Sequence, residues 1–211
     1  PVATLEDSLF DTLLTYQARL LDVLDDFAVL GDSVGDAWIS ESGPTPWVVW
    51  AKTLDTVRED VRPDSVSFPV RLSRKVAFPF TLPVRLDTAF VPELNRARSS
   101  NFRLIDPVVR FPAATEQVDW WIRILDDGIS TENKRLPMVV QPARWVDVGD
   151  DSLATLVIRD TDSLPRLSFV DSLVVIRQTD TVIHLRVALR PASGRVVDAP
   201  YAVSGTARYG L

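Results

Sequence analysis

The stretch VSFPVRL at residues 66–72 indicates the main type of secondary structure in this chain. Apolar side chains occupy every second position from Val66 to Leu72, and this period of two is typical of a strand with one buried face. The sequence LPVRL at residues 82–86 repeats the pattern fourteen residues after FPVRL begins. The repeat predicts two related strands packed beside each other, and the proline in each predicts edge, bulged or bent strands.

Strand signals resume beyond a proline-punctuated stretch at 91–117, which we interpret as a long loop. Val118, Trp120, Ile122 and Ile124 alternate with more polar positions. Further strands are predicted at 137–148, 153–159, 167–178, 181–190, 194–203 and 205–210, with a hairpin turn at Thr179-Asp180. Short strands separated by turn residues predict an antiparallel β-sandwich of the jelly-roll or Greek-key type over residues 63–211.

The N-terminal region has a different period. Within residues 5–30, apolar side chains recur at alternating steps of four and three, which predicts one long helix with a wide apolar face. The main ridge of that face is Leu9, Leu13, Tyr16, Leu20, Val23, Phe27 and Leu30. A second, shorter helix is predicted at 46–61, where Thr45 can cap a helix that begins at Pro46. Residues 1–62 are therefore predicted to be helical, and the fold class is α+β, mainly β.

Composition excludes several kinds of site. The chain has 211 residues, of which 46% are hydrophobic, and this is enough for a substantial core. No run of eighteen apolar residues occurs, so no membrane span is predicted. The absence of cysteine excludes disulfides, thiolate zinc sites and cysteine nucleophiles.

Charge is divided unevenly along the chain. The net charge is −6, but residues 1–60 carry −9 and residues 62–110 carry +5. The two regions are either separate solvated faces or complementary surfaces within or between subunits. The second interpretation predicts an interface between copies. Its residues are Leu9, Leu13, Tyr16, Leu20 and Phe27 on the apolar helix, with Arg96, Arg98 and Arg103 on the basic side.

No catalytic or cofactor motif is present. His184 is the only histidine, and its position on the more polar side of a predicted strand indicates a surface residue. Neither a Gly-x-Ser-x-Gly elbow nor a glycine-rich phosphate loop occurs, so no catalytic residue and no cofactor is predicted. The Arg-rich segment 96–110 contains aromatic residues, but the net negative charge argues against nucleic acid as the main partner.

Acidic motifs are the remaining candidates for chemistry. The pairs Asp25/Asp26, Asp126/Asp127 and Asp150/Asp151 have the residue type that holds Ca²⁺ or does acid–base work. We interpret them as solvated turns and assign no metal ligand. The segment LVIRDTDSL at 156–164 resembles the first motif of haloacid-dehalogenase-type phosphotransferases, but the 47 residues after it look like strands rather than an α/β domain. A polar turn between strands is therefore predicted.

These features together predict a non-enzymatic structural protein that assembles with copies of itself and with other particle proteins. We expect a capsid, collar or tail subunit of a virus or phage, located in the virion, with a cytoplasmic location as the alternative. A carbohydrate- or ligand-binding β-sandwich using Trp120, Trp121 or Trp145 is an alternative function, and a hydrolase using carboxylates is another. Because neighbouring side chains on a strand point to opposite faces, Trp120 or Trp121 is expected in the core.

Overall fold

A computed structural model describes residues 7–22, 28, 30–177 and 182–205, and these residues form an almost entirely β structure. The bounds of the elements, in chain order, are β1 Leu14–Arg19, β2 Val34–Ile39, β3 Trp47–Trp50, β4 Leu54–Arg58, β5 Ser65–Leu72, β6 Phe80–Leu86, a 3-10 helix Glu93–Asn95, β7 Phe102–Leu104, β8 Val108–Phe111, β9 Gln117–Ile124, β10 Lys134–Val140, β11 Asp147–Val148, β12 Leu153–Arg159, β13 Arg166–Phe169 and β14 Val187–Arg190.

Ten of these strands form a β-sandwich. Sheet I has the order β4-β12-β10-β6-β8, and sheet II has the order β11-β3-β5-β9-β7. Most neighbouring strands are antiparallel, but β4 runs parallel to β12 and β11 runs parallel to β3. The prediction of a β-sandwich is therefore confirmed, whereas the prediction of an antiparallel jelly roll is wrong.

The core lies between the two sheets and follows the predicted alternation. In β5, the side chains of Phe68, Val70 and Leu72 are buried. The buried side chains of the adjacent strand β9 are Trp120, Ile122 and Ile124. Sheet I contributes Leu82, Val109, Phe111, Leu136, Met138, Val140, Ala154, Leu156 and Ile158 to the same core. Because each strand keeps its period of two, one face of each sheet is apolar and the other faces solvent.

The repeated motifs at 68–72 and 82–86 form β5 and β6, which lie in opposite sheets. The expectation that they pack beside each other in one sheet is wrong, and both are interior rather than edge strands. Strand β6 pairs with β8 up to Pro83 and with β10 from Val84 onward. Pro83, which has no N–H to donate, therefore lies where β6 changes its partner.

The long helix predicted at 5–30 is wrong for every residue that the structure describes there. Phe10 is buried and its backbone bonds to Lys75 and Ala77, while β1 pairs with β2 in a two-stranded ribbon. Residues 23–27 and 29, including Phe27, lie outside the described residues. Among the described residues, no helix is long and apolar enough to cross a membrane. The steps of four and three also contain a strand pattern, since Leu14, Tyr16 and Ala18 share one face of β1.

The second predicted helix, at 46–61, is two strands in different sheets. Strand β3 belongs to sheet II and β4 to sheet I, so residues 51–53 carry the chain from one sheet to the other. The change of sheet interrupts the alternation of apolar and polar side chains along the chain. The apolar residues of the two short strands are therefore three or four positions apart, as in a helix: Trp47, Trp50, Leu54 and Val57. The described residues between 7 and 62 therefore do not form a helical region, and their strands β3 and β4 belong to the sandwich.

The predictions for 91–117 and for the C-terminal segment are also corrected. The expected long loop contains the 3-10 helix and strands β7 and β8. Among the described residues of the C-terminal segment, the strands are β13 and β14, which pair in antiparallel fashion outside the sandwich. The predicted turn at Thr179-Asp180 lies outside the described residues. His184 is exposed, as expected for a surface residue.

Candidate functional site

Three strand ends meet at one end of the sandwich, and each carries an acidic residue. Glu59 directly follows β4, Asp126 follows β9, and Asp162 lies three residues beyond β12. Strands β4 and β12 run parallel with Arg58 opposite Arg159, so their carboxyl ends reach the same edge of sheet I. One carboxylate oxygen from each of Glu59, Asp126 and Asp162 lies within 4.8 Å of the other two. Carboxylates from both sheets therefore converge on one point.

The turn after β9 is shaped by its own aspartates. The backbone N–H of Gly128 donates to Asp126 Oδ1 at 3.1 Å, and the N–H of Ile129 donates to Asp127 Oδ1 at 3.1 Å. Asn101 Nδ2 donates to the other oxygen of Asp127 at 2.9 Å. Gly128 has φ +66°, a conformation that favours glycine. Asp127 therefore holds the turn in place, while Asp126 keeps an exposed carboxylate at the cluster.

Asp160 has the same positioning role in the loop after β12. Its Oδ1 accepts the N–H of Asp162 at 3.0 Å, and its Oδ2 accepts the N–H of Thr131. The N–H of Asp160 itself donates to Asn133 Oδ1 at 3.1 Å. With both oxygens engaged, Asp160 fixes the loop that presents Asp162 to Glu59 and Asp126.

Glu59 is buried, with 4% of its surface exposed. The N–H of Thr161 donates to Glu59 Oε1 at 2.6 Å, and the N–H of Glu59 extends the β4–β12 pairing to Arg159 at 3.0 Å. Asp162 Oδ2 is buried and has no hydrogen-bond partner among the described residues. A buried carboxylate oxygen without a partner destabilises the fold, because it has lost its hydrogen bonds to water and has formed none within the protein.

The electrostatic environment raises the pKa of two of these carboxyls. Burial raises the pKa of Glu59, and the charges of Asp160, Asp162 and Asp126 raise it further against the opposing hydrogen bond from Thr161. Burial also raises the pKa of Asp162, with added repulsion from Asp126, Asp160 and Asp127. The site therefore holds more negative charge than its surroundings compensate, which is the condition that a bound cation relieves.

The residues predicted as an interface lie elsewhere. Leu13, Tyr16 and Leu20 are exposed in and beside β1, and Leu9 is half-buried. Arg96 and Arg98 both contact Glu93, and Arg103 is exposed on β7. Phe27 lies outside the described residues. The interface role of these eight residues stays a prediction.

The carboxylate cluster of Glu59, Asp126 and Asp162 is not predicted by the sequence. The sequence predicts turns at Asp126 and Asp162 and a helix around Glu59, whereas Glu59 directly follows strand β4. The one sequence signal for the cluster is the position of Asp126 and Asp162, which come just after the alternating apolar residues of β9 and β12. Their convergence could not be read from the sequence, because it depends on which strands are neighbours.

The tryptophans considered for carbohydrate binding have different surroundings. Trp120 is buried, and its Nε1 donates to the carbonyl of Asp106 at 2.9 Å. Trp121 is exposed, which confirms that one member of the pair belongs to the core. Trp145 is also exposed, but the Arg144 guanidinium lies over its ring at 4.6 Å from the centroid.

Asp150 and Asp151 line a separate open depression of about 560 Å³ with Trp47.

No family model matches this chain, and no curated protein matches its sequence. Among solved structures, the apo form of the Calx CBD1 domain has a TM-score of 0.48 and 15% identity, and the match covers 56% of this chain and 100% of that one. The CALX1.1 calcium binding domain CBD12 has a TM-score of 0.47 and 17% identity, covering 59% of this chain and 49% of that one.

A putative carbohydrate binding protein from Bacteroides ovatus has a TM-score of 0.44 and 10% identity. That match covers 58% of this chain and 39% of the Bacteroides chain. Identities and TM-scores in this range assign the present chain neither a family nor a ligand.

Proposed function

We propose that this protein is a non-catalytic ligand-binding β-sandwich module whose ligand is a divalent cation, with Ca²⁺ the ion that fits best. One observation carries the proposal. Glu59, Asp126 and Asp162 bring carboxylate oxygens within 4.8 Å of one another, and the buried Oδ2 of Asp162 has no partner among the described residues. A cation between these oxygens supplies the missing contact and compensates the repulsion that raises the pKa of Glu59 and Asp162.

The donor set favours Ca²⁺ over other metals. All three side chains offer oxygen, whereas structural zinc sites use cysteine and histidine. Ca²⁺ binds oxygens at about 2.3–2.6 Å, so ligands on opposite sides of one ion are up to about 5 Å apart. Mg²⁺ requires a tighter octahedron at about 2.0–2.1 Å. Carboxylate oxygens within 4.8 Å of one another fit around one Ca²⁺ ion without the tight octahedron that Mg²⁺ requires, so Ca²⁺ is the proposed ion and Mg²⁺ is the comparator.

A cation at this place connects the two sheets. Glu59 and Asp162 extend from strands of sheet I, and Asp126 extends from sheet II. The ion would hold these three strand ends together, and the exposed Asp126 leaves a path for its entry. We therefore infer that cation binding stabilises the sandwich at this end and orders the loops around it.

Calcium is expected to raise the melting temperature and to bind with measurable heat. At a concentration of about one hundred times Kd, binding stabilises by about 2.7 kcal/mol, which corresponds to about 5–10 °C for a domain of this size. Asp162→Asn should weaken binding by about tenfold or more, since it removes a charged ligand. Calorimetry and thermal melting, with Ca²⁺ and with Mg²⁺ as the comparator, measure both effects.

The matched control is Asp150→Asn, in an acid pair outside the cluster, which should bind Ca²⁺ like the wild type. Absence of both binding heat and thermal stabilisation at millimolar Ca²⁺ would contradict the proposal. Equal weakening by both variants would also contradict it, since it would indicate a general charge effect.

The virus-particle function and the virion location gain no supporting observation, and the hydrolase alternative stays untested.

A further inference from the structure

The open depression beside Trp47 lies on the outer face of sheet II. Val48 and Trp50 belong to the core, so the alternation of β3 places Trp47 and Val49 on the outer face. Val49 lies opposite Arg71 in the neighbouring strand β5, and both residues line the depression. Further lining comes from the edge strand β11 and the turn after it. The depression is therefore built on three neighbouring strands of one sheet.

The depression and the carboxylate cluster lie at opposite ends of sheet II. Arg71 lies opposite Gln117, the first residue of β9, whereas Asp126 comes shortly after the other end of that strand. At about 3.3 Å per residue, the eight residues of β9 span about 26 Å. The two sites are therefore separate.

Trp47 is held in place at one side of the depression. Its N–H donates to Ser73 Oγ at 3.0 Å, and its carbonyl accepts the N–H of Ser73 at 2.9 Å. A β-carbon on Gly149 would lie 2.8 Å from Cε3 of Trp47 and 2.7 Å from Cγ1 of Val49, so glycine is what lets this backbone approach the ring so closely. Trp47 is nevertheless 44% exposed. The ring is therefore a positioned apolar surface that is open to solvent.

The acidic turn that follows β11 is attached to β3 through its backbone. The N–H of Gly149 donates to the carbonyl of Val48 at 2.9 Å, and the N–H of Trp50 donates to the carbonyl of Asp151 at 2.9 Å. Asp150 and Asp151 both line the depression and are exposed. Because the backbone bonds already fix the turn, these two side chains are available to a ligand at little cost in ordering.

The charged side chains of the depression have no partner within the described part of the chain. There, no ion pair or side-chain hydrogen bond involves Arg71 or the three aspartates Asp147, Asp150 and Asp151. The three carboxylates also do not form a group close enough to hold one metal ion among the described residues. The depression therefore offers a ligand both hydrogen-bond acceptors and a donor.

This mixture of charges favours a neutral ligand with many hydroxyl groups. The three aspartates repel an anion, and Arg71 repels an organic cation, for which a single ring is also a poor cage. A hydroxyl both donates and accepts, so it can donate to a carboxylate and accept from a guanidinium. A sugar ring also presents C–H groups, whose partial positive charge complements the negative face of an indole ring.

We propose that the depression binds a sugar residue of a neutral glycan, with Trp47 as the stacking surface. Arg71 donates to the sugar hydroxyls, and Asp150 and Asp151 accept from them. The volume of about 560 Å³ lies within the range of small-molecule sites, about 300–1,000 Å³. Because the depression is open, further sugar residues can continue along the surface, which favours a chain over a free monosaccharide. The inference concerns a second ligand and does not rest on the cation proposal.

The first experiment measures the binding of neutral oligosaccharides of glucose, mannose, galactose and xylose to the protein by isothermal titration calorimetry. At least one of them should bind with a Kd in the millimolar range or below, as expected for a shallow site. Oligomers of glucosamine and of glucuronic acid are the charged comparators, and both should bind more weakly. Absence of binding by every neutral oligosaccharide at millimolar concentration, or tighter binding of either charged comparator, would overturn the proposal.

Variants of the depression locate the bound sugar. Trp47→Ala should weaken binding of the best oligosaccharide about tenfold or more, and Trp47→Phe should restore most of the affinity because it retains an aromatic face. Arg71→Met keeps an unbranched apolar stem without the donors and should weaken binding about fivefold or more. The matched control is Trp121→Ala, because Trp121 is also 44% exposed on the outer face of sheet II and does not line the depression.

The control should bind the oligosaccharide like the wild type. Wild-type affinity of Trp47→Ala or of Arg71→Met, or an equal loss of affinity in Trp47→Ala and Trp121→Ala, would overturn the proposal. Circular dichroism and thermal melting show whether each variant keeps the wild-type fold. If Trp47→Ala does not, Trp47→Phe and the exposed Arg71→Met keep the test decisive.

Titrations in chelator separate this site from the cation site. The affinity for the oligosaccharide should be the same with Ca²⁺ and with chelator, because the depression lies at the other end of sheet II from the carboxylate cluster. Loss of sugar binding in chelator would overturn the proposal, since the sugar would then be held through the ion. Failure of the cation proposal would leave the affinity in chelator unchanged, so the two failures are distinguishable.

Discussion

Replacing Trp50 by alanine is expected to lower the free energy of unfolding by about 3–5 kcal/mol. Trp50 is 1% exposed and packs edge-to-face on Phe68, with ring centroids 5.9 Å apart, and against Trp120 at 5.7 Å. Its Nε1 donates to the carbonyl of Ser152 at 2.9 Å. Because Ser152 precedes β12, this bond joins sheet II to sheet I. Alanine leaves both a cavity and an unpaired carbonyl, and each is destabilising.

Urea denaturation of the wild type and the variant measures this loss. The matched control is Trp121→Ala, because Trp121 is 44% exposed on the outer face of β9. A change within about 0.5 kcal/mol is expected there, as for most surface substitutions. If the two alanine variants lost equal stability, the assignment of the core face would be wrong.

Replacing Glu59 by glutamine is expected to change stability in opposite directions with and without Ca²⁺. Without the ion at neutral pH, the variant should melt at a higher temperature, because it removes a buried charge that Asp160, Asp162 and Asp126 repel. With saturating Ca²⁺, the wild type should become the more stable protein, since a carboxylate is a stronger calcium ligand than an amide. The difference in melting temperature between the two proteins should therefore change sign when Ca²⁺ is added. The change should amount to several degrees, at about 2–4 °C per kcal/mol.

The pH dependence of the ion-free protein provides an independent check. For a carboxyl whose pKa is raised by folding, stability is full below the unfolded pKa of about 4 and is lost as the pH rises through the folded pKa. Glu59 and Asp162 belong to this class. Glu41 and Asp106 have lowered pKa values and act in the opposite direction. The informative quantity is therefore the difference in stability between Glu59→Gln and the wild type, which should grow as the pH rises above about 4.

Thermal melts in chelator and in Ca²⁺ across this pH range test both expectations. A Glu59→Gln protein that is less stable than the wild type in chelator at neutral pH would contradict the electrostatic argument. Equal stabilisation of both proteins by Ca²⁺ would contradict the role of Glu59 as a ligand.

The acidic residues illustrate the limit of motif reasoning. Asp126 and Asp127 look equivalent in the sequence, and so do Asp160 and Asp162. In the structure, Asp127 and Asp160 have both carboxylate oxygens engaged in hydrogen bonds within their loops, while Asp126 and Asp162 converge with Glu59. The difference arises from backbone geometry and from strand neighbours, neither of which is encoded by the spacing of the acids.

The N-terminal half shows why period alone misled the assignment of helices. The apolar residues at 9–20 satisfy steps of four and three, but Leu14, Tyr16 and Ala18 satisfy a period of two as well. At 47–57, the crossing between sheets interrupts the alternation after Trp50. Short segments that fit both patterns are decided by the contacts available to them, such as those of Phe10 with the backbone of Lys75 and Ala77.

The sequence by itself determined which residues face the core in β5 and β9, because alternation is a local property of an extended chain. It also determined that turn residues follow these strands, since glycine and aspartate set the backbone locally. Tertiary structure alone decided that β4 runs parallel to β12, that β5 and β6 lie in opposite sheets, and that Glu59 meets Asp126 and Asp162. These are contacts between segments distant in the chain, and they depend on how the apolar faces are buried together.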